Sequence, residues 1–262
     1  MKRLTRSLVE MVARDHGWEN ILESSDDVIR LGSARHRAYS MVRDGPAEDE
    51  WLVEVPRGRL ALELARSSTT PSAEATIFPV KGLDALAGLL RRAAQLAQSL
   101  PDQAAATYAA RIDEVLGGSE LSRTEVERIV RQRVGQDVFR DALIDYRGGA
   151  CAVTGLALTA VLRASHAKPW ARCATDRERL DVFNGLLLSP QLDALFDRGL
   201  ITFDDTGEML VSRALRPVHR ALLQVDGTAC LRWVAPEHFK YLEWHRSERF
   251  TATEQGVEGA AK

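Results

Sequence analysis

The chain has 262 residues, a length that fits one large domain or two modest ones. At 45% hydrophobic and 27% charged it has the make-up of an ordinary globular protein, which excludes a disordered or fibrous chain. With 35 basic against 37 acidic residues the net charge is −2, so contact with nucleic acid has to come from local basic patches rather than from the field of the whole chain. The longest stretch without a charge, residues 148–162, carries Gly148, Gly149 and Gly155 and falls short of the roughly 18 apolar residues a membrane span needs. The basic start, with Lys2, Arg3 and Arg6, runs into Glu10, Arg14 and Asp15 before any apolar segment forms. It does not read as a secretory signal, and the expectation is a cytoplasmic protein with no membrane contact. Cys151, Cys173 and Cys230 make an odd count without a CxxC pair, which argues against a disulfide framework and a cysteine-built zinc site. Cys151 and Cys173 are expected to be small buried hydrophobes.

In chain order, residues 4–18 form an amphipathic helix pattern. Residues 50–55 (EWLVEV) and 60–64 (LALEL) resemble two short strands around a turn at Pro56, Arg57, Gly58 and Arg59. Residues 83–100 and 103–116 carry apolar positions at helical spacing and are separated by Pro101 and Asp102, the signature of a helical hairpin. Gly117, Gly118 and Ser119 are the clearest boundary, dividing an α+β domain of no recognised family (1–118) from a second domain (119–250) and a frayed tail (251–262).

The second domain opens on a capping box, Ser122 to Glu125, that starts a helix which Gly135 is expected to break or bend. A β-rich segment is expected over residues 151–183, then a short apolar strand at 185–188. Ser189 and Pro190 start a short helix that Gly199 is placed to stop, and residues 200–203 and 209–211 read as a hairpin.

The chemistry is concentrated in RASHAKPW (163–170), FNGLLLSP (183–190) and QLDALFDRG (191–199). These segments bring a histidine at a strand end, an asparagine 18 residues later and two aspartates on the short helix. Asp193 and Asp197 lie four apart on one helical face, with Leu192, Leu195 and Phe196 as the buried stripe opposite. Two carboxylates near an imidazole suit one Mg²⁺ or Mn²⁺ with a general base better than they suit a closed zinc site.

This ordered set resembles the HNH endonuclease family, whose core is a β-hairpin and one helix around a single divalent metal. The resemblance runs from about Gly135, Gln136, Phe139 and Arg140 through residues 151–155 to Phe203. It implies that His166 is the general base, that Asn184 holds the metal-binding loop and orients that histidine, and that Asp193 stands where the family usually carries histidine or asparagine. Ser165 stands where many members carry a metal-ligating Asp, Glu or His, and Asp197 is a second helix ligand. The implied reaction is metal-assisted hydrolysis of a phosphodiester in DNA, one strand per site, so that a double-strand break requires a dimer or successive nicks. Arg163, Lys168, Arg172 and Arg198, with Arg177 and Arg179, lie where they would hold phosphates beside the cut.

Trp170 is expected in the core rather than as a base-stacking platform. In the first domain Arg57 and Arg59, with Arg35, His36 and Arg37, offer either a DNA-reading or a partner-docking surface. Restriction or phage defence is the setting the resemblance implies. The rival expectations are a non-catalytic nucleic-acid-binding module with a decayed metal site, and a nuclease subunit gated by partner proteins of a defence system.

Overall fold

A computed structural model describes residues 3–67, 76–116, 125–225 and 227–250. The boundary residues Gly117, Gly118 and Ser119, the start of the capping box at Ser122, and the tail from residue 251 lie outside the described residues. The chain divides into two compact units, Met1–Gln103 and Ala104–Lys262, so the division falls before the body of the helix that the sequence reading assigned to the first domain.

In the first unit, helix α1 (Arg3–Asp15) precedes strands β1 (Asn20–Ser24), β2 (Ile29–Gly32), β3 (Ser40–Asp44) and β4 (Glu50–Glu54). Helix α2 (Arg59–Ser67), strand β5 (Ile77–Lys81) and helix α3 (Leu83–Ser99) follow. The strands form one antiparallel meander in the order β1-β2-β3-β4-β5. Alternation decides its faces: Val42, Val53 and Phe78 sit in register across β3, β4 and β5, and all are buried. Helix α3 turns Leu86, Leu90, Ala93 and Ala97 inward at helical spacing, and the indole of Trp18 donates to the Leu90 carbonyl at 2.9 Å.

The strand expected at residues 60–64 is instead the start of α2. Leu60, Ala61, Leu64 and Ala65 are buried together, a spacing that only a helix places on one face. Five residues of LALEL satisfy both periods, and the tie is broken only by the continuation to Ala65. Arg57 and Arg59 therefore mark the entry to a helix rather than a hairpin tip. His36 is buried edge-on against Trp18 with ring centroids 4.8 Å apart, which removes it from a DNA-reading surface.

The second unit contains most of α4 (Pro101–Leu116), then α5 (Glu125–Arg147), β6 (Arg163–His166), a 3₁₀ turn at Trp170–Arg172 and α6 (Asp176–Arg179). A second 3₁₀ turn at Val182–Asn184 leads into β7 (Gly185–Leu188) and α7 (Pro190–Asp197). Strands β8 (Ile201–Phe203) and β9 (Met209–Val211) and helices α8 (Pro217–Leu223) and α9 (Pro236–Glu248) complete it. Residues 151–183, expected to be β-rich, are mostly turns and short helical pieces around the one strand β6. The apolar residues there are drawn into the core singly, as with Cys151, Ala152, Leu162 and Leu180, instead of in an alternating run.

Strands β6 and β7 pair antiparallel, with Ser165 opposite Leu186 and His166 opposite Gly185. Helices α5 and α7 both pack on this pair. Gly135 does not break α5, which is continuous from Glu125 to Arg147. Its missing side chain makes room for the Trp170 indole, which any Cβ there would overlap. Arg147, fully buried at the end of α5, donates to the Trp233 carbonyl at 2.9 Å and so ties this helix to the segment before α9.

Gly185 has an extended backbone open to any residue, yet a Cβ there would overlap the Phe139 ring. Gly185→Ala is therefore expected to lower the stability of the C-terminal unit by about 1–3 kcal/mol through overpacking, read as a lower denaturation midpoint in urea.

Candidate active site

The segment between β6 and β7 is held by one buried amide. Asn184 has no exposed surface. Its Oδ1 accepts from the Lys168 backbone N–H at 2.8 Å, and its Nδ2 donates to the carbonyls of Lys168 at 3.1 Å and Glu178 at 3.2 Å. The Asn184 carbonyl accepts from Ala167 N–H at 2.9 Å, so the asparagine binds both the exit of β6 and the far arm of the loop. These contacts also fix which way the amide points, since only this orientation satisfies every partner. Asp181 sets up the turn: its carboxylate accepts from Phe183 N–H at 3.0 Å and from the Tyr241 hydroxyl of α9 at 2.9 Å.

His166 stacks on Phe139 of α5 at 3.8 Å, and the Trp170 ring stands edge-on to it at 5.9 Å. Its Nε2 lies 2.9 Å from the Arg179 carbonyl. A carbonyl only accepts, so Nε2 carries the proton and Nδ1 is the lone-pair nitrogen of the neutral ring. Burial lowers the histidine pKa, and the carbonyl opposes that shift in part. A neutral ring held by one nitrogen, with the other basic, has the state a general base requires.

Ser165, the preceding residue, is buried and faces α7, where its hydroxyl hydrogen-bonds the Asp193 carboxylate. The hydroxyl expected at a ligand position thus orients Asp193. Asp197 lies one turn further along α7 on the exposed side. The protein around its carboxyl and the neighbouring Asp193 charge both push its pKa up, against Arg249 and Arg198.

Among the described residues no group of three or more His, Cys, Asp or Glu side chains converges as a metal cage. The donors at the site are oxygens: two carboxylates a turn apart and a hydroxyl. That set fits a hard ion such as Mg²⁺, which keeps several of its waters and needs only one or two carboxylates. It does not fit zinc closed by protein ligands.

The basic residues divide into two groups. Arg163, Arg172 and Arg198 are exposed around the site. Lys168 is paired with Glu178 at 2.7 Å. Arg179 donates to the carbonyls of Trp170 at 3.3 Å and Cys173 at 2.7 Å and pairs with Asp176 at 2.8 Å. Those two cations hold the loop together.

Residues 151–204 match the HNH endonuclease family. The C-terminal unit carries an HNH domain. No match is found among curated proteins. Within the HNH domain His166, Asn184 and Asp193 occupy the end of the first strand, the turn into the second and the helix. No helix among the described residues is long and apolar enough to cross a membrane.

Several contacts that build the site had no sequence signal. Tyr241 reaches Asp181 across 60 positions. His245 of α9 stacks on Phe196 of α7 at 3.8 Å, donates from Nε2 to the Phe196 carbonyl at 3.0 Å, and accepts at Nδ1 from the Thr202 hydroxyl at 2.9 Å. Phe139 alone carried a hint, as an aromatic within the family resemblance.

Burial drives the His245 pKa down to about 4, so the ring is neutral beneath α7. The unfolded ring titrates near 6.5, so below that pH the unfolded state takes up the proton first. This contribution is complete above about pH 6.5 and is lost as pH falls towards 4, by up to ~3 kcal/mol, with half-buried His166 and buried His36 shifting in the same direction. Urea unfolding at stepped pH should show this acid slope, and His245→Gln should make it shallower.

Proposed function

We propose that the C-terminal unit is a metal-dependent DNA endonuclease that hydrolyses phosphodiester bonds. The observation that carries this reading is the state of His166: neutral, its Nε2–H fixed on the Arg179 carbonyl and its Nδ1 basic, within a segment that matches HNH endonucleases. His166 takes the proton from the attacking water at Nδ1. Phe139 and Trp170 restrict the ring from its face and edge, and Asn184 holds the backbone that follows it.

HNH nucleases generally use a divalent metal ion. Asp193, oriented by Ser165, and Asp197 would hold Mg²⁺ or Mn²⁺ here, and such an ion supplies charge stabilisation for the phosphoryl group and the leaving oxygen. Arg163, Arg172 and Arg198 bind backbone phosphates and position the strand without reading sequence. One base and one ion site cut one strand, so a double-strand break implies two copies of the chain or two successive nicks. Restriction or phage defence is the role this activity would serve, and cleavage that depends on the modification state of the DNA would support it.

In a supercoiled-plasmid assay, Mg²⁺ or Mn²⁺ should give nicked or linear product and EDTA should abolish it. His166→Ala is expected to slow cleavage by roughly 100- to 10,000-fold, the usual worth of a general base. Asp193→Ala should raise the metal concentration needed for half-maximal rate. Because burial lowers the His166 pKa, the acid limb of the pH–rate profile should lie below the ordinary histidine value near 6.5.

The hydrogen bond from Ser165 to Asp193, which engages an oxygen of the carboxylate expected to hold the ion, favours a second reading, a DNA-binding module that no longer cuts. That reading requires DNA affinity indifferent to EDTA and to His166→Ala, with no cleavage in either ion.

A further inference from the structure

A cleft of about 680 Å³ is walled by Tyr108 of α4, by Arg128, Arg131 and Gln132 of α5 and by Trp170 and Arg179 of the loop, with the carboxylates of Glu127 and Asp176 also on its lining, so that three cations face two acids. Its size falls in the range of about 300–1,000 Å³ typical of sites for small organic groups. Two of its walls are the supports of His166. The Trp170 ring stands edge-on to the imidazole, and the Arg179 carbonyl holds Nε2.

The lining chemistry is specific in kind. The indole is seated in the notch left by Gly135, and the Arg179 guanidinium lies over it at 5.7 Å from the ring centroid. The guanidinium sits over one face of the indole, so this wall is a cation–aromatic stack. Arg131 and Arg128 bring positive charge on successive turns of α5, with Arg131 paired to Glu127 through Nε at 2.9 Å. Gln132 adds an amide that donates and accepts. A flat aromatic surface, guanidinium groups and one amide together suit a nucleotide, whose base stacks and whose phosphate is cationically bound. A base inside an intact duplex has both faces covered by its neighbours and cannot use such a platform.

We propose that this cleft is a nucleotide subsite that takes an unpaired or extruded base of the bound strand, next to the phosphate that His166 serves. Calling that strand the substrate rests on the nuclease reading, whereas binding in the cleft does not. The consequence for substrate class is a preference for single-stranded or locally opened DNA over a perfect duplex. Occupancy also bears directly on Trp170 and on the Arg179 backbone, and through them on the histidine.

The test uses the full chain in EDTA, with a short labelled oligodeoxynucleotide followed by fluorescence anisotropy and with 2-aminopurine as an internal reporter of stacking. The expected result is tighter binding of the single strand than of the matching duplex, with quenching of the 2-aminopurine. Arg131→Glu and Gln132→Ala, both on the exposed side of α5, should weaken single-strand binding by roughly tenfold and remove the quenching. Unchanged affinity and quenching in both variants, in a protein that still cuts plasmid, would overturn the subsite and leave the nuclease standing. Arg131-dependent binding in a protein that cuts nothing in Mg²⁺ or Mn²⁺ would support the subsite and sink the nuclease reading.

Discussion

The site depends on a single desolvated amide. Asn184 is sealed from water, so each of its polar atoms must find a partner in the protein or cost about 1–3 kcal/mol. Those partners are backbone groups at both ends of a loop that has almost no regular structure to hold it. The amide thereby converts an irregular segment into a rigid one, and the Arg179 carbonyl, on the same loop, becomes a fixed acceptor for His166. An aspartate in this place would bring negative charge against two carbonyls, and an alanine would leave three backbone groups without their partners.

Rigidity on the other side of the strand pair comes from α9, which lies outside the HNH-matching segment. Tyr241 buttresses Asp181 at the turn that delivers Asn184, and His245 bridges α7 to β8 while stacking on Phe196. Arg147 at the end of α5 reaches the segment before α9. The HNH elements are therefore short but enclosed: an eight-residue helix and two four-residue strands, framed by longer helices. Elements of that length are marginal alone and gain their stability from this packing.

Electrostatics at the site follow from the same enclosure. Burial keeps both His166 and His245 neutral, but to different ends. His245 has hydrogen-bonding partners at both nitrogens and serves packing. His166 has one nitrogen on a carbonyl, which leaves the lone pair on the other. The carboxylates stand on the solvent side, where Asp193 and Asp197 repel each other and Ser165 restrains Asp193. Like-charged neighbours of this kind are stabilised by a cation.

Local signals were sufficient where a residue type has only one good use. Ser189, Pro190 and Gly199 bounded α7, the Asp193 and Asp197 spacing gave its polar face, and the ordered histidine, asparagine and aspartate pointed to the HNH domain before any contact was known. They were insufficient where two periods fit the same few residues, as in LALEL, or where a glycine is kept for space, as at Gly135 and Gly185. The other four strands of the first unit, beyond residues 50–54, also went unread, because runs of four or five residues are too short to separate a strand period from other patterns and gain their identity from pairing. The sequence by itself determined which groups are available for chemistry. Only the tertiary structure decided which nitrogen of His166 is basic, which cations are committed to the loop and what lies behind Trp170, because those depend on backbone carbonyls and side chains brought together from distant parts of the chain.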